Sequence, residues 1–209
     1  MSKITIALIP APEAITVSQQ TVLSQAGRLI LQTQKHPTAN AIRTLGYQFN
    51  TMDDLYESAE DFDTLNQSIA ARLCGAGDCV YVATGNIQNS QLPAVLSVAE
   101  QSGVTVQVLP HLSVGDVAFP NRARSIAVSA HDLPQGLDPE QNYTLEEIDS
   151  ARIAGEAKLL FSEYYPDEWT VSFASIQPSG AYSARNIKLC ELDRQKSYDA
   201  TCVLYVPSC

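Results

Sequence analysis

Positive charge is scarce in this chain: 13 lysines and arginines stand against 23 aspartates and glutamates, a formal net charge of −10. Binding to nucleic acid without sequence preference requires cations that neutralise phosphates. No run of Lys and Arg supplies them, so neither nucleic acid nor an anionic membrane surface is an expected partner. Long apolar runs are missing as well. None approaches the roughly 20 residues of a membrane-spanning helix. The stretch Ile4–Ala11 is of strand length and lacks the flanks of a secretion signal. Cysteine pairing is also poorly served. The five cysteines are an odd number, which together with the missing signal points to a reducing cytoplasm. Cys74 and Cys79 have no second pair and no histidine at ligand spacing, so free thiols are favoured over zinc and no metal is expected.

Several signatures of catalysis are absent too. Without G-x-S-x-G there is no nucleophile elbow of a serine hydrolase. Without G-x-G-x-x-G or a Walker sequence after a strand, the usual phosphate cradles are missing. Gly75-Ala76-Gly77-Asp78 follows a helical pattern and reads as its terminus. The run Glu146-Glu147-Ile148-Asp149 begins like an acidic pyrophosphohydrolase motif, but Ser150 stands where a further glutamate is needed.

What is present is a strong alternation of apolar strands and amphipathic helices, in 209 residues that are 45% hydrophobic, enough for two small domains. Ile4–Ile9 reads as a buried strand. Thr16-Val-Ser-Gln19 reads as a capping box for a helix ending at Gly27. Leu29–Gln32 is the next strand, and Pro37 suits the first turn of a helix that ends near Gly46. Tyr47–Asn50 starts a third strand. Phe62, Leu65, Ile69 and Leu73 form one helical face, and Cys79–Ala83 is strand. Leu92, Val95, Leu96 and Ala99 mark a further helix, and Val104–Leu109 a further strand. A short helix near Ser113–Ala118 and a strand at Ser125–Ala130 follow. Continuous apolar strands alternating with helices predict a parallel sheet covered on both faces.

Pro134, Gly136 and Pro139 interrupt this grammar. The expected division is therefore an N-terminal parallel α/β domain at 1–132 and a smaller C-terminal α+β domain at 133–209. In the latter, Tyr143–Ile148 is an expected strand, and Ile153, Ala157, Leu160 and Tyr164 mark a helix. Three strands then follow closely, Trp169–Ile176, Asn186–Leu192 and Ala200–Val206, with a turn at Pro178-Ser179-Gly180. Strands without crossover helices should pair antiparallel.

Open parallel sheets bind ligands at the carboxyl ends of their strands. Those tips read Pro10-Ala11-Pro12, Thr33-Gln34-Lys35-His36, Thr84-Gly85-Asn86 and Pro110-His111-Leu112-Ser113. His36 lies on a strand-to-helix loop, where function concentrates; the alternative, which is preferred, is a residue that simply caps or flanks the helix. Asp53, Asp54, Glu57, Glu60, Asp61 and Asp63 are read either as metal ligands sharing a helix face or, preferably, as acids favoured in a helical first turn by the macrodipole.

Thr33-x-x-His36-Pro37, Asp54-Leu55-Tyr56-Glu57 and Asp61-Phe62 occur in order. After them come Lys158-Leu159, Tyr165-Pro166-Asp167, Glu191-Leu192-Asp193-Arg194 and Leu204-Tyr205-Val206-Pro207. In this order the chain resembles the tetrapyrrole (corrin/porphyrin) methylase superfamily, and within it the methylase-like N-terminal domain of MazG-type nucleotide pyrophosphohydrolase fusion proteins. The resemblance implies two α/β domains, a homodimer, and S-adenosylmethionine (SAM) as cofactor. By position it assigns cofactor contacts to Pro10, Thr84, Gly85, Asn86, Ser113, Val114, Ile148, Asp149 and Ala174. Thr33, His36, Tyr56 and Glu57 become candidates for lining the substrate cleft, and no catalytic residue is assigned.

Three loops depart from the family pattern. The first strand ends in Ile9-Pro10-Ala11 in place of a glycine-rich loop, the fourth in Thr84-Gly85-Asn86 in place of Gly-Asp-Pro, and the fifth has His111 where glycine is usual. Glycines there let backbone approach a ligand, so their loss predicts weak or absent SAM binding. Two functions follow as expectations: a SAM-dependent methyltransferase with eroded cofactor loops, or a non-catalytic ligand-binding or regulatory domain serving a MazG-type pyrophosphohydrolase in cis or in trans.

Overall fold

Five of the apolar runs become the parallel strands of one sheet. In the computed structural model, which describes residues 2–85, 87 and 91–209, these are β1 (Lys3–Leu8), β2 (Leu29–Leu31), β3 (Asn50–Thr51), β4 (Cys79–Ala83) and β5 (Thr105–Val108). They lie in the order β3-β2-β4-β1-β5, every pairing parallel. β4 is buried along its whole length, because helices cover both faces. On one face α1 (Val17–Gln25) and α2 (Pro37–Thr44) bury Leu23 and Ile42 against Leu31 and Val82. On the other, α4 (Phe62–Gly75) and α5 (Gln91–Ser102) bury Ile69, Leu73 and Val95 against Ile4, Ile6 and Tyr81. The short α3 (Asp53–Ser58) precedes α4.

Local chemistry sets the helix ends. Thr16 caps α1 with the full capping box, its hydroxyl accepting from Gln19 N–H and the Gln19 side chain accepting from Thr16 N–H. Pro37 opens α2 as anticipated. Gly46 follows α2 with φ +87°, a left-handed conformation that favours glycine. In the stripes predicted for α4 and α5, Phe62 is 67% exposed and Leu96 48% exposed. Phe62 is the first residue of α4, where the chain has only begun to turn onto the sheet.

The second sheet is mixed. It contains β6 (Ile126–Ser129), β7 (Tyr143–Glu146), β8 (Thr170–Ile176), β9 (Tyr182–Lys188) and β10 (Val203–Val206) in the order β6-β7-β10-β8-β9. β6 and β7 are parallel, and the remaining pairs are antiparallel. One face packs on α7 (Ala151–Ser162) through Leu145, Phe161, Phe173 and Leu204. The alternate residues Ala174, Val203 and Tyr205 pack with Ala118 and Phe119 at the end of α6 (Val114–Ala118), as the two-residue period of a strand requires.

Two boundaries differ from expectation. Compact units divide between Leu112 and Ser113, earlier than the expected 132/133. The strand at 126–129 pairs with β7 in the second sheet, because the partner that satisfies its backbone lies C-terminal to it in the chain, which strand–helix alternation does not reveal. The strand expected at 186–192 lies at 182–188, and Leu189–Arg194 forms a 3₁₀ helix instead. Leu189 and Leu192, both fully buried, are three apart and share a face of such a helix.

Candidate functional site

The order of the parallel strands defines a switch point. α1, which carries the chain from β1 to β2, lies on one face of the sheet, and α5, which carries it from β4 to β5, lies on the other. β1 and β4 are neighbours in register, Leu8 opposite Ala83. A crevice opens outside the carboxyl ends of such a strand pair, and it is where ligands of open α/β sheets bind. Pro10 and Thr84, both predicted from the sequence, stand on these two tips, with Gly85 next in the chain. Asn86 lies outside the described residues.

The first unit's own side chains occupy much of the main-chain hydrogen-bonding capacity at these tips. Gln19, completely buried, donates through Nε2 to Leu8 C=O at 2.9 Å. Thr38, also completely buried, donates its hydroxyl to Ile9 C=O at 3.3 Å. Gln32 Oε1 accepts from Thr84 N–H at 2.8 Å and from its hydroxyl at 3.3 Å. Ile9, Pro10 and Ala11 are buried, while Thr84 and Gly85 remain half-buried. His111 has Nδ1 at 3.2 Å from Leu109 C=O.

A second set of predicted residues meets along the β2 tip. Gln32 Nε2 donates to the Tyr56 hydroxyl at 2.8 Å, and Gln91 Nε2 donates to the same oxygen at 3.1 Å. Gln91 Oε1 accepts from the fully buried Tyr81 hydroxyl at 2.6 Å. Thr33 donates its hydroxyl to Asp53 Oδ1 at 2.6 Å, and Gln34 N–H donates to Asp53 Oδ2 at 3.0 Å. Burial raises the Asp53 carboxyl, but hydrogen bonds from Thr33, Gln34 N–H and Thr51 together outweigh it, so its pKa lies below the ordinary carboxylate value. Lys35 and Glu57 form an exposed ion pair at 3.4 Å. Thr33, Tyr56 and Glu57 thus share one polar rim with Thr84. His36 takes a different part: it is the N-cap of α2, its Nδ1 accepting from Thr38 N–H at 3.2 Å.

In the second unit the predicted residues disperse. Ser113 caps α6 in a reciprocal capping box with Asp116, donating to its carboxylate at 2.7 Å and accepting from its N–H at 3.0 Å. Val114 and Ala174 share the cluster on the α6 side of the sheet, whereas Ile148 is fully buried in the cluster on the α7 side. Asp149 Oδ2 lies 2.9 Å from His131 Nε2. Glu147, two residues before Asp149, adopts φ +66° and accepts a hydrogen bond from the Ser129 hydroxyl at 2.8 Å. Among the described residues no group of three or more His, Cys, Asp or Glu is arranged to hold a metal ion. No helix among them is long and apolar enough to cross a membrane.

Sequence reasoning did not single out Gln19, Gln32, Tyr81 and Gln91. The available signal was a glutamine directly after an apolar strand run, at Gln32, and the capping-box role already visible for Gln19. The Tyr81–Gln91 pair had none, because a tyrosine within an apolar strand reads as core.

The five-stranded parallel sheet followed by a five-stranded mixed sheet is the fold of the tetrapyrrole methyltransferases. Uroporphyrin-III C-methyltransferase from Thermus thermophilus superimposes with a TM-score of 0.70 at 16% identity, over 99% of this chain and 94% of that one. The cobalt precorrin-4 methyltransferase CbiF does so with a TM-score of 0.67 at 13% identity, over 98% and 94%. The Thermus enzyme complexed with S-adenosyl homocysteine gives 0.67 at 12%, over 99% and 92%. In sequence, the chain is 23% identical over 206 residues to the "Uncharacterized protein YabN" of Bacillus subtilis (strain 168). That match takes in 93% of this chain and 42% of the relative, so the chain spans less than half the relative's length. No protein-family model matches the chain.

Proposed function

We propose that this chain is an S-adenosyl-ligand-binding domain of methyltransferase type, with its site at the β1/β4 switch point and an affinity lowered by the residues at the β1 tip. The observation that carries this reading is the topology, which sets the tips of β1 and β4 side by side at the point where the strand order reverses, the place where open α/β sheets bind ligands. Bound there, SAM would supply a methyl group activated by a sulfonium. The chain's part would be binding and orientation, which can contribute much of the rate in a group transfer. The residues fit a ligand on the β4 side, where Thr84 and Gly85 are small and half-buried. They fit poorly at β1, where Ile9, Pro10 and Ala11 are buried and two carbonyls already accept hydrogen bonds.

The test is calorimetric titration with SAM and S-adenosyl homocysteine, on the wild type and on the triple variant Ile9→Gly, Ala11→Gly, His111→Gly. Each restored glycine removes side-chain bulk, so the variant should bind roughly tenfold or more tightly than the wild type. Micromolar binding by the wild type would show that the altered loops still serve. No binding by either protein would reject the site.

A second reading is favoured by the self-satisfied rim around Gln19, Thr38 and Gln32. In it the domain binds a small ligand without catalysis, as a regulatory partner of a MazG-type nucleoside triphosphate pyrophosphohydrolase in the cytoplasm, in cis or in trans. The relative's greater length is compatible with a fused domain. A homodimer belongs to both readings, and light scattering on the purified chain measures it.

A further inference from the structure

The tip of β2 is joined to α3 by four consecutive residues. Gln32 Nε2 donates to the Tyr56 hydroxyl. The Thr33 hydroxyl and Gln34 N–H both donate to the Asp53 carboxylate, and Lys35 pairs with Glu57. Of the four, Gln32 also reaches the β4 tip, where its Oε1 accepts from Thr84 N–H at 2.8 Å and from the Thr84 hydroxyl at 3.3 Å. The main-chain N–H of Thr84 fixes which way the amide faces: it needs an acceptor, so the oxygen turns to Thr84 and the NH₂ group to Tyr56.

The ladder between β2 and β4 shows what is unusual here. Gln32 N–H donates to Val82 C=O at 2.8 Å. In an evenly spaced parallel ladder the next bond would run from Thr84 N–H to the main-chain carbonyl of Gln32. It runs to the side-chain carbonyl instead. A main-chain rung would end the ladder there. The side-chain amide carries the contact on to Tyr56, and so to α3. That helix has little else to hold it. It is six residues long, and Asp54, Tyr56, Glu57 and Ser58 are exposed. Its apolar hold is the partly buried Leu55, with Met52 and Ala59 at its two ends. A short segment with few buried apolar contacts and accessible hydrogen bonds opens locally at a small cost in free energy.

We propose that Gln32 is a positioning residue that couples occupancy of the switch point to the docking of α3, so that α3 is a strap tightened by the ligand. This rests on the reading that an S-adenosyl ligand binds beside Thr84. A ligand shifts such an equilibrium only if it binds one state better than the other. With α3 docked, Tyr56 holds the Gln32 amide in one orientation, and Thr84 faces a fixed acceptor. With α3 undocked, the amide rotates and Thr84 loses that acceptor, so a ligand that touches Thr84 must order the tip as it binds. The ligand therefore prefers the docked state, and by reciprocity it stabilises docking by the same factor. A single relayed hydrogen bond sets that factor at about threefold to tenfold.

The experiment is amide hydrogen exchange on the full chain, read by mass spectrometry with and without saturating S-adenosyl homocysteine, beside calorimetric titration of the same samples. In the wild type the ligand should slow exchange across residues 53–58 by about threefold to tenfold. Gln32→Met keeps the length of the side chain and removes both of its hydrogen bonds. It should bind the ligand more weakly by about the same factor, and the ligand should no longer slow exchange in α3. Tyr56→Phe cuts the relay at its far end and leaves Gln32 on Thr84, and the slowing should vanish there too. Slowing that persists in either variant means that the ligand acts on α3 by another route, and it overturns the proposal even if the other variant does not fold. Ligand binding by the wild type with unchanged exchange at 53–58 rejects the proposal and leaves the switch-point reading standing. No binding by the wild type or by the triple glycine variant rejects that reading, and the proposal with it. If the triple variant alone binds, the same comparisons are made in its background.

Discussion

Removing the Tyr81 hydroxyl isolates the energy of one buried polar contact behind the β4 tip. Tyr81 is fully buried, and Gln91 is 4% exposed. Burial pushes the Tyr81 hydroxyl well above its ordinary pKa, so it remains a neutral donor at any working pH. Its bond to Gln91 Oε1, 2.6 Å long, is short and out of water. In Tyr81→Phe the ring still fills its space, so the loss is that of a buried acceptor without its donor, about 1–3 kcal/mol. Gln91→Leu leaves the tyrosine hydroxyl without its acceptor and also removes the bond to Tyr56, so it costs at least as much. In the double variant both polar partners are gone. Its loss should fall short of the sum of the single losses by about 1–2 kcal/mol, the coupling expected of residues in direct contact. Urea unfolding followed by far-UV circular dichroism measures all three. With a slope of about 1–3 kcal/mol per molar, the Tyr81→Phe midpoint should fall by roughly 1 M. Losses that add to within about 0.5 kcal/mol would refute the reasoning, as two uncoupled residues behave that way.

Two further outcomes are expected. The Asp53 carboxyl lies below its ordinary pKa in the folded chain, so its contribution is complete above the unfolded value of about 3.9 and is lost as pH falls through the lower folded value. Asp53→Asn should therefore reduce stability at pH 7 and flatten the decline below about pH 4, read from urea titrations between pH 3 and 7. In Gly115→Ala a gain of about 1 kcal/mol in helix propensity meets a Cβ placed 3.0 and 3.1 Å from Thr144 Oγ1 and Cγ2. Thr144 is β-branched, buried and within hydrogen-bonding distance of Ser125, so it yields poorly. Crowding should win by about 1–2 kcal/mol, with part of the loss recovered in Gly115→Ala/Thr144→Ala, as seen by thermal melting.

Local physics made much of this chain legible from its residues. Backbone groups in an apolar run must pair within a sheet, so β1, β4, β5, β7, β8 and β10 could be located by composition alone. The Thr16–Gln19 capping box and Pro37 at the start of α2 were equally visible, because a cap is a contact between residues three apart and Pro has no N–H to lose. The strand tips that carry Pro10, Thr84 and Gly85 followed from the same pattern. Partner choice was decided only by the tertiary structure. β6 pairs with β7 in the second sheet, and a strand's hydrogen bonds carry no mark of which neighbour will take them. The same holds for the bonds that Gln19, Gln32, Tyr81 and Gln91 make beyond their own turn: those partners lie 10 to 91 residues away, a distance over which no periodicity reports. The side-by-side tips of β1 and β4 and the cavity lined by Thr144, Glu146 and Tyr205 likewise exist only once those long-range pairings have formed, since each brings together segments that the chain order keeps apart.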